Sequence, residues 1–555
     1  MARVAVIADA HFHDIEGDYD FPGIVVNGRR LTVRTFADTV RSTRVFNESF
    51  TTLPAALDRI VAMGIRHVVL LGDYTDDGQR GTVASLVRLL AAYRDRHGLN
   101  FYATPGNHDV FGPLGKHRDT RYVHAGGGTT LVTSDAEKAA EDPGRPVVTE
   151  KMYCDGVPAG IRALGDFGYF RRPGDLHFET PFGADDAPAA REHDLRSADG
   201  GTVRRLMDAS YLVEPEDGLW LLMIDANVFE PRNGRRDIAR KKAFLDSSDA
   251  GWNALLRVKP YLLAWIADVA ARAARKGKTL LAFSHYPALD PFEDETDSER
   301  ALFGETNVAK RTPRPIVAET LIAAGLSLHF SGHLHVEARS RHDEGGRSLV
   351  NIAVPSLVAF PAGFVVVETG DGAPSVETVS LAETPLDADL LALYRAEQAR
   401  EGLAPDPALA ARDYGDFLHH HMRALVLQRF LPKEWPADMA QMARRMTLAD
   451  LCRLMADGTP PAGLDTGPLE AVPLLDLVAD WYCLRQSPAA APTHIAPGRL
   501  ACYRSLAEHF GDLTPAGEDG PRRFFAIFLG VLGRSLERAS REAGRSAGSA
   551  AALPR

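Results

Sequence analysis

Apolar and polar positions alternate in two registers along the first part of the chain. Val4-Ala5-Val6-Ile7-Ala8 and Val68-Val69-Leu70-Leu71 are unbroken apolar runs rich in β-branched residues. Such runs predict strands buried on both faces, the pattern of a parallel sheet. Between them lies a long polar loop, residues 12–46, with a hairpin signal at Asn27-Gly28, and then a helix over about 50–63. Val83, Leu86, Val87 and Leu90 fall at i, i+3, i+4 and i+7, one face of a helix, and a further strand is predicted at 100–103.

From 111 to about 210 the pattern breaks into glycines, scattered prolines and mixed charge, as expected of an insertion, placed here as a cap over a site. Regularity returns with strands at 211–213 and 219–224 and a helix carrying Leu262, Leu263, Ile266, Val269 and Ala270. Strands follow at 279–283, 327–330, 349–353 and 364–367. The expected organisation is an α/β domain over 1–380, a mainly helical extension over 381–540 and a disordered tail over 541–555. No repeat of fixed period is present.

Five polar clusters punctuate this pattern: Asp9-Ala10-His11, Gly72-Asp73, Gly106-Asn107-His108-Asp109, Ser284-His285 and Gly332-His333-Leu334-His335. Each of the first two directly follows an apolar run, so their side chains stand at the carboxyl ends of buried strands, where α/β folds build sites. Asp9 or Asp73 alone would read as a helix or turn cap. His285 alone would read as a locally bonded histidine, and Asn107 as a turn residue. His333 and His335 lie two apart, so in extended chain they point the same way.

The set resembles the calcineurin-like metallophosphoesterase superfamily, whose pattern is D-x-H, G-D, G-N-H-[DE], H and G-H-x-H; the resemblance covers about residues 1–380. It implies a two-sheet βαβα sandwich and two divalent cations, which neutralise a phosphate ester and supply hydroxide near neutral pH. Carried over residue by residue, it implies that Asp9, His11, Asp73 and His335 hold one metal. Asp73, Asn107, His285 and His333 would hold the other, with Asp73 bridging. His108 would face the leaving group, oriented by Asp109. The mixed nitrogen and oxygen shell suits manganese, iron or zinc.

Departures narrow the family. Ser/Thr protein phosphatases carry G-D-x-V-D-R-G, and here Asp77 stands where their arginine grips phosphate. Purple acid phosphatases place a tyrosine ligand where Asp76 stands. The stretches before Asp225 and around Phe283-Ser284-His285-Tyr286-Pro287 look most like bacterial phosphodiesterases. The expected activity is hydrolysis of a small phosphodiester, with a phosphomonoesterase or nucleotidase as alternative and a nuclease third. A non-catalytic scaffold is the reading from another class.

Composition excludes more than it adds. A formal charge of −11 argues against an extended nucleic-acid surface. Four dispersed cysteines fit a reducing compartment and no structural zinc site, and no run reaches the ~20 apolar residues of a membrane span, so a cytoplasmic protein is expected. The extension is expected either to dimerise through the apolar run at 524–532 or to fold over the site. His419-His420-His421 reads as surface and packing, because consecutive helical side chains diverge. His13 reads as a loop residue, and Arg44 and Asn47 as loop positions from which substrate contacts could arise.

Overall fold

The computed structural model describes residues 2–547 apart from 236, 246–250, 294, 371, 460, 462–463 and 515–519. Two mixed sheets carry the amino-terminal two thirds. The first runs in the order Ser375–Ser380, Gly363–Glu368, Arg3–Ile7, His67–Leu71, Asn100–Thr104. Its last three strands are parallel, with Ile7 opposite Leu70 and Leu70 opposite Ala103, so their carboxyl ends emerge together. The second sheet has seven strands, with Leu219–Ile224, Thr279–Ser284, Leu328–Ser331 and Arg347–Ala353 parallel at its centre.

Side-chain alternation along the second sheet assigns its faces. Leu219, Leu221 and Met223 join the main core with Val4, Val6 and Val365 of the first sheet. Trp220, Leu222 and Ile224 face the other way, into a second core with Leu262, Ile266 and Val269 of the Pro260–Lys276 helix. The first sheet's other partners are the helices Ser49–Ala62 and Arg80–His97, through Leu53, Leu57, Leu86 and Leu90. The predicted hairpin forms as Ile24–Val26 against Arg29–Leu31, with Asn27 and Gly28 at φ 48° and 83°.

The extension is helical. Its longer helices include Ala388–Arg400, Tyr414–Leu425, Leu474–Gln486, Pro497–Phe510 and Gly520–Ala547. They share the main core with the amino-terminal sheets. Two expectations change here. Phe525, Phe528, Leu529 and Leu532 are buried within this chain, and Phe528 meets Trp435 and Trp481 edge-on, so the apolar run proposed for dimerisation is already covered. The last helix continues through 541–547, where a disordered tail was expected. Arg538 and Arg541 both pair with Glu293, which anchors that end; 548–555 lie outside the described residues.

Candidate metal centre

The strand Arg3–Ile7 delivers Asp9 and His11, His67–Leu71 delivers Asp73, and Asn100–Thr104 delivers Asn107 and His108. From the second sheet, Thr279–Ser284 delivers His285, and Leu328–Ser331 delivers His333 and His335. Asp9 N donates to Gly72 O at 3.1 Å and His11 N to Asp73 O at 2.8 Å, tying the first two turns together. Gly332 N donates to His285 O at 2.9 Å and ties the last two. All seven side chains predicted as ligands converge at this one end of the two sheets.

They form two clusters. Asp9, His11 and His335 make one buried triad, and Asp73, His285 and His333 make a second, each with ligand atoms within 4.8 Å of one another. In the first, His11 Nε2 lies 3.2 Å from His335 Nε2, and His335 Nε2 lies 3.5 Å from Asp9 Oδ1. In the second, His285 Nε2 is 3.2 Å from both Asp73 Oδ2 and His333 Nδ1, and 3.3 Å from Asn107 Oδ1. Asp73 Oδ2 is also 3.8 Å from His11 Nε2, so one oxygen faces both triads. Asn107 therefore belongs to the second cluster.

The donor set fits cations. Lone pairs of imidazoles and carboxylates aimed at a common point repel unless a positive charge sits among them, and four imidazoles with two carboxylates suit a borderline divalent metal. His285 donates through Nδ1 to Leu71 O at 3.1 Å, which turns Nε2 inward. Burial, and then Arg44, holds His11 well below the usual imidazole range, so it is a neutral lone-pair donor. Burial also lowers His333, with Arg311 the next cause. Burial opposes charge on His285, yet the Asp73 carboxylate outweighs it and raises the imidazole to about 9. That is the protonated state a histidine adopts when a bare carboxylate is its nearest partner.

The motif glycines are there for close approach. A Cβ on Gly106 would collide with Asp73 Oδ1 and N, and one on Gly332 with Asp9 Oδ2. The candidate ligands are strained: Asp9, His11, Asp73, His333 and His335 all have positive φ, between 40° and 73°.

His108 lies beside the first triad, its ring 5.0 Å from that of His11. The structure corrects its expected partner. Asp109 does not orient it: that carboxylate accepts from Thr75 N and Oγ1 at 3.1 and 2.9 Å and from Gly106 N at 2.8 Å, stapling the Asp73 turn to the Asn107 turn. Burial, followed by the nearby Asp73 charge, raises Asp109 to about 7. His108 Nδ1 instead meets Asp77 Oδ1 at 2.7 Å, and Arg118 reaches the same oxygen at 2.9 Å. Burial would raise the Asp77 carboxyl, but Arg118 and His108 hold it well below the usual range. An ionised carboxylate only accepts, so His108 donates from Nδ1 and keeps Nε2 for other work. The acid that replaces the protein-phosphatase arginine is thus the partner of the histidine.

Other sequence candidates sort by burial. Asp76 is fully buried between Arg34 and Arg44, at 2.5 and 3.0 Å. Arg44 lines the cavity above the triads, while Asn47 is inside, bonded to Arg34 and Tyr394. His13 stacks on Tyr122 with ring centroids 5.6 Å apart and bonds Thr32 O, as a loop residue would. His419 and His420 face Asp480 and Asp416, and His421 donates to Thr39 O; the three diverge as expected, and only His421 of them borders the cavity. Ser284 joins a buried relay with Trp252 and His329.

The cavity over the triads holds about 130 Å³. Its floor includes His11, Asp73, Asn107, His108, His333 and His335. Its roof comes from the segment around Phe303 and Arg311, which the sequence did not mark, and from the extension, one of whose two expected roles was to fold over the site, at Arg429, Phe430, Glu434, Tyr482 and Gln486. The insertion at 111–210 contributes none of the described lining residues. It meets the site turns from behind, through Arg118 on Asp77 and through Tyr169, whose hydroxyl is 3.2 Å from that of Tyr74, so the expected cap is supplied by the helical extension together with the segment around Phe303 and Arg311.

Residues 2–156 match the model of the calcineurin-like phosphoesterase family. The matched segment carries Asp9, His11, Asp73, Asn107 and His108, and it is similar to that family of phosphoesterases. No curated protein matches the chain. Among solved structures, a dimetal phosphatase from Danio rerio overlays 68% of this chain and 96% of its own, at 13% identity and a TM-score of 0.37. A phosphopantetheinyl hydrolase from Mycobacterium tuberculosis overlays 64% of this chain and 90% of its own, at 10% identity and a TM-score of 0.24. Overlays that loose carry no argument about substrate. No helix among the described residues is long and apolar enough to cross a membrane.

Proposed function

We infer that the chain hydrolyses a small phosphodiester with the help of two divalent cations. Asp9, His11, Asp73 and His335 would hold one, and Asp73, Asn107, His285 and His333 the other. The observation that carries this reading is the shared Asp73 oxygen, 3.8 Å from His11 Nε2 and 3.2 Å from His285 Nε2, beneath a partly open cavity. Manganese, iron or zinc would suit the donors. When bound, such a pair neutralises phosphoryl charge and lowers the pKa of water toward neutrality. The core shared by the two sheets supports a two-sheet sandwich, and the four buried, unpaired cysteines support a cytoplasmic setting.

The chain's own groups have separable duties. His108 N donates to Asp73 Oδ1 at 2.7 Å and holds that carboxylate in place. His333 N donates to both Asp9 oxygens, at 3.1 and 2.9 Å, and fixes the other. The His108 Nε2 edge, backed by Asp77, stabilises or protonates the departing oxygen. Phe303, Phe430 and Tyr482 exclude bulk water from above. A space of this size suits a small ester.

The test is hydrolysis of bis(p-nitrophenyl) phosphate beside p-nitrophenyl phosphate by Mn²⁺-loaded protein, with Asp73→Asn as control. Faster turnover of the diester, lost in the variant, is expected. Preference for the monoester would move the assignment to a phosphomonoesterase. Silence on both esters from protein shown to hold two metals would overturn the reading.

A further inference from the structure

We propose that the helical extension is a working part of the metal centre, with Gln486 the positioning residue for His335, the histidine assigned above to the first cation. The inference rests on the two-cation reading and names the groups that set how tightly one of the two ions is held.

The two triads are supported differently. In the second, His285 is turned inward by Leu71 O, and the turn that carries Asn107 is held by Asn227, which donates to Pro105 O and Gly106 O at 3.0 and 3.3 Å. Both supports come from the strand ends of the two sheets. His335 lies where the chain has left its sheet, between the strands Leu328–Ser331 and Ala338–Glu344. Main-chain groups there have no ladder to join and must find partners elsewhere. The Gln486 amide donates to Leu334 O at 3.2 Å and also to His335 O. In return, Glu337 N donates to Gln486 O at 2.8 Å. Gln486 ends the Leu474–Gln486 helix, and the last carbonyls of a helix have no partner within it. The helix end and the ligand turn thus satisfy each other. The flanking residues fasten the contact: Arg485 forks onto both oxygens of Glu299, and the buried Ser487 Oγ donates to Glu337 Oε2 at 2.5 Å.

The ring of His335 is steadied from its other side. Its Nδ1 donates to Thr43 O at 3.4 Å, which leaves Nε2 facing Asp9 and His11. A carbonyl that accepts from one ring nitrogen fixes which nitrogen is offered to a metal. The segment that leads to Thr43 is itself held by the extension. Glu397 accepts from Phe36 N and Ala37 N at 2.8 and 2.9 Å, His421 Nε2 donates to Thr39 O at 2.9 Å, and Arg429 donates to Arg41 O at 3.2 Å. The extension therefore grips His335 directly at its carbonyl and indirectly at its ring. That support matters because His335 holds φ 55°, and a residue in the left-handed region keeps its geometry only where its surroundings over-determine it. Coupling of this kind is reciprocal: groups that place a ligand for an ion are in turn stabilised by the ion.

The test is calorimetric titration of metal-free, full-length protein with MnCl₂, in which the wild type should take up two ions. Gln486→Met keeps the side-chain length and removes both donors. It should weaken one ion by about tenfold or more and leave the other within about threefold. Paramagnetic resonance of the variant should then be dominated by isolated Mn²⁺ at a loading where the wild type shows a coupled pair. Ser487→Ala, which loosens the same contact without touching the Gln486 amide, should leave both affinities within about threefold. Hydrogen exchange of the wild type needs no variant and stands even if Gln486→Met fails to fold. Loading with Mn²⁺ should slow exchange in residues 483–487, which hold no candidate ligand, by about threefold or more. Two ions held equally well by Gln486→Met, an equal loss in Ser487→Ala, or exchange in 483–487 that ignores Mn²⁺ would overturn the proposal. Failure of the metal-loaded protein to hydrolyse any simple ester would instead overturn the phosphoesterase reading, because the titration reads Gln486 independently of turnover.

Discussion

Glu48 offers a sharp test of how the helical extension is joined to the catalytic domain. Its side chain is buried where the Ser49–Ala62 helix begins, with Oε1 accepting from Tyr394 Oη at 2.9 Å and Oε2 without a hydrogen-bond partner. Tyr394 belongs to the extension and also accepts from Asn47 Nδ2 at 2.7 Å. Burial pushes the Glu48 carboxyl from 4.5 up to about 7. A raised native pKa means that the folded chain keeps its proton while the unfolded chain releases it. Stability from this group is therefore complete below about pH 4.5 and is lost as pH rises through about 7. The loss is about 3 kcal/mol, at ~1.4 kcal/mol per unit. Glu48→Gln cannot ionise, and its amide leaves one buried donor unpaired, a flat cost of about 1 kcal/mol. Urea denaturation followed by circular dichroism at pH 5 and pH 8 should show a crossing: the variant less stable than wild type in acid and more stable in base. All other groups titrate alike in the two proteins and cancel in the difference. A difference that stays constant from pH 5 to pH 8 would refute the reasoning.

Asp77→Asn removes the charge behind His108 while leaving the Asp76 pairs in place; kcat should fall roughly 10²-fold with little change in KM, and a fall below about threefold would return His108 to a passive role. Chelation should destabilise the protein as well as silence it, because metal binding at a concentration ~1,000 times Kd contributes about 4 kcal/mol. The thermal midpoint should drop by several degrees with a chelator and recover with Mn²⁺; an unmoved midpoint would mean that the two triads hold nothing tightly.

The candidate ligand set was legible through its resemblance to the D-x-H, G-D, G-N-H-[DE], H and G-H-x-H pattern, and the apolar runs before its members placed them at strand ends, where sequence adjacency predicts spatial convergence. His285 is the clearest case: weak alone, it is placed by the strand that precedes it and by Leu71 O across the sheets. What could not be read depends on contacts between distant segments. Asp77 lies four residues past Asp73 and carries no signal that it will meet His108 and Arg118 rather than solvent. Adjacency suggested Asp109, but the turn at Gly106 points its carboxylate back to Thr75. Folding of the extension over the site was one of two readings, but the roof residues could not be named, for a related reason. Amphipathic helices announce that they have a buried face but not what lies under it, and the covering of the metal centre by residues near 430 and 482 is set only by tertiary packing. The helix over 541–547 was hidden because its composition is polar; it is held by Arg538 and Arg541 on Glu293 rather than by an apolar face.

Strain in the ligand turns gives a last test, and it bears on why the site exists at all. Asp9, His11, Asp73, His333 and His335 hold φ of 48°, 40°, 47°, 73° and 55°. Each non-glycine residue in the left-handed region costs on the order of 1 kcal/mol, so the five together approach the lower end of a domain's net stability of ~5–15 kcal/mol. Glycine would relieve every one of these turns, yet none holds it, because the side chain is what the position is for. His335 separates the two demands. Its ring borders the cavity, and its one hydrogen bond to main chain is a long one, 3.4 Å to Thr43 O. His335→Ala and His335→Gly both delete the ligand and leave nearly the same space. At an ordinary position alanine would be the more stable of the two by ~0.4–1 kcal/mol, through the entropy of the unfolded chain. At φ 55° the order should invert, with the glycine variant more stable by up to about 1 kcal/mol in denaturant titrations of metal-free protein. Alanine proving the more stable would mean that the turn relaxes once its ligand is gone, and that its left-handed geometry is imposed by the imidazole rather than by the backbone bonds that tie the turns together.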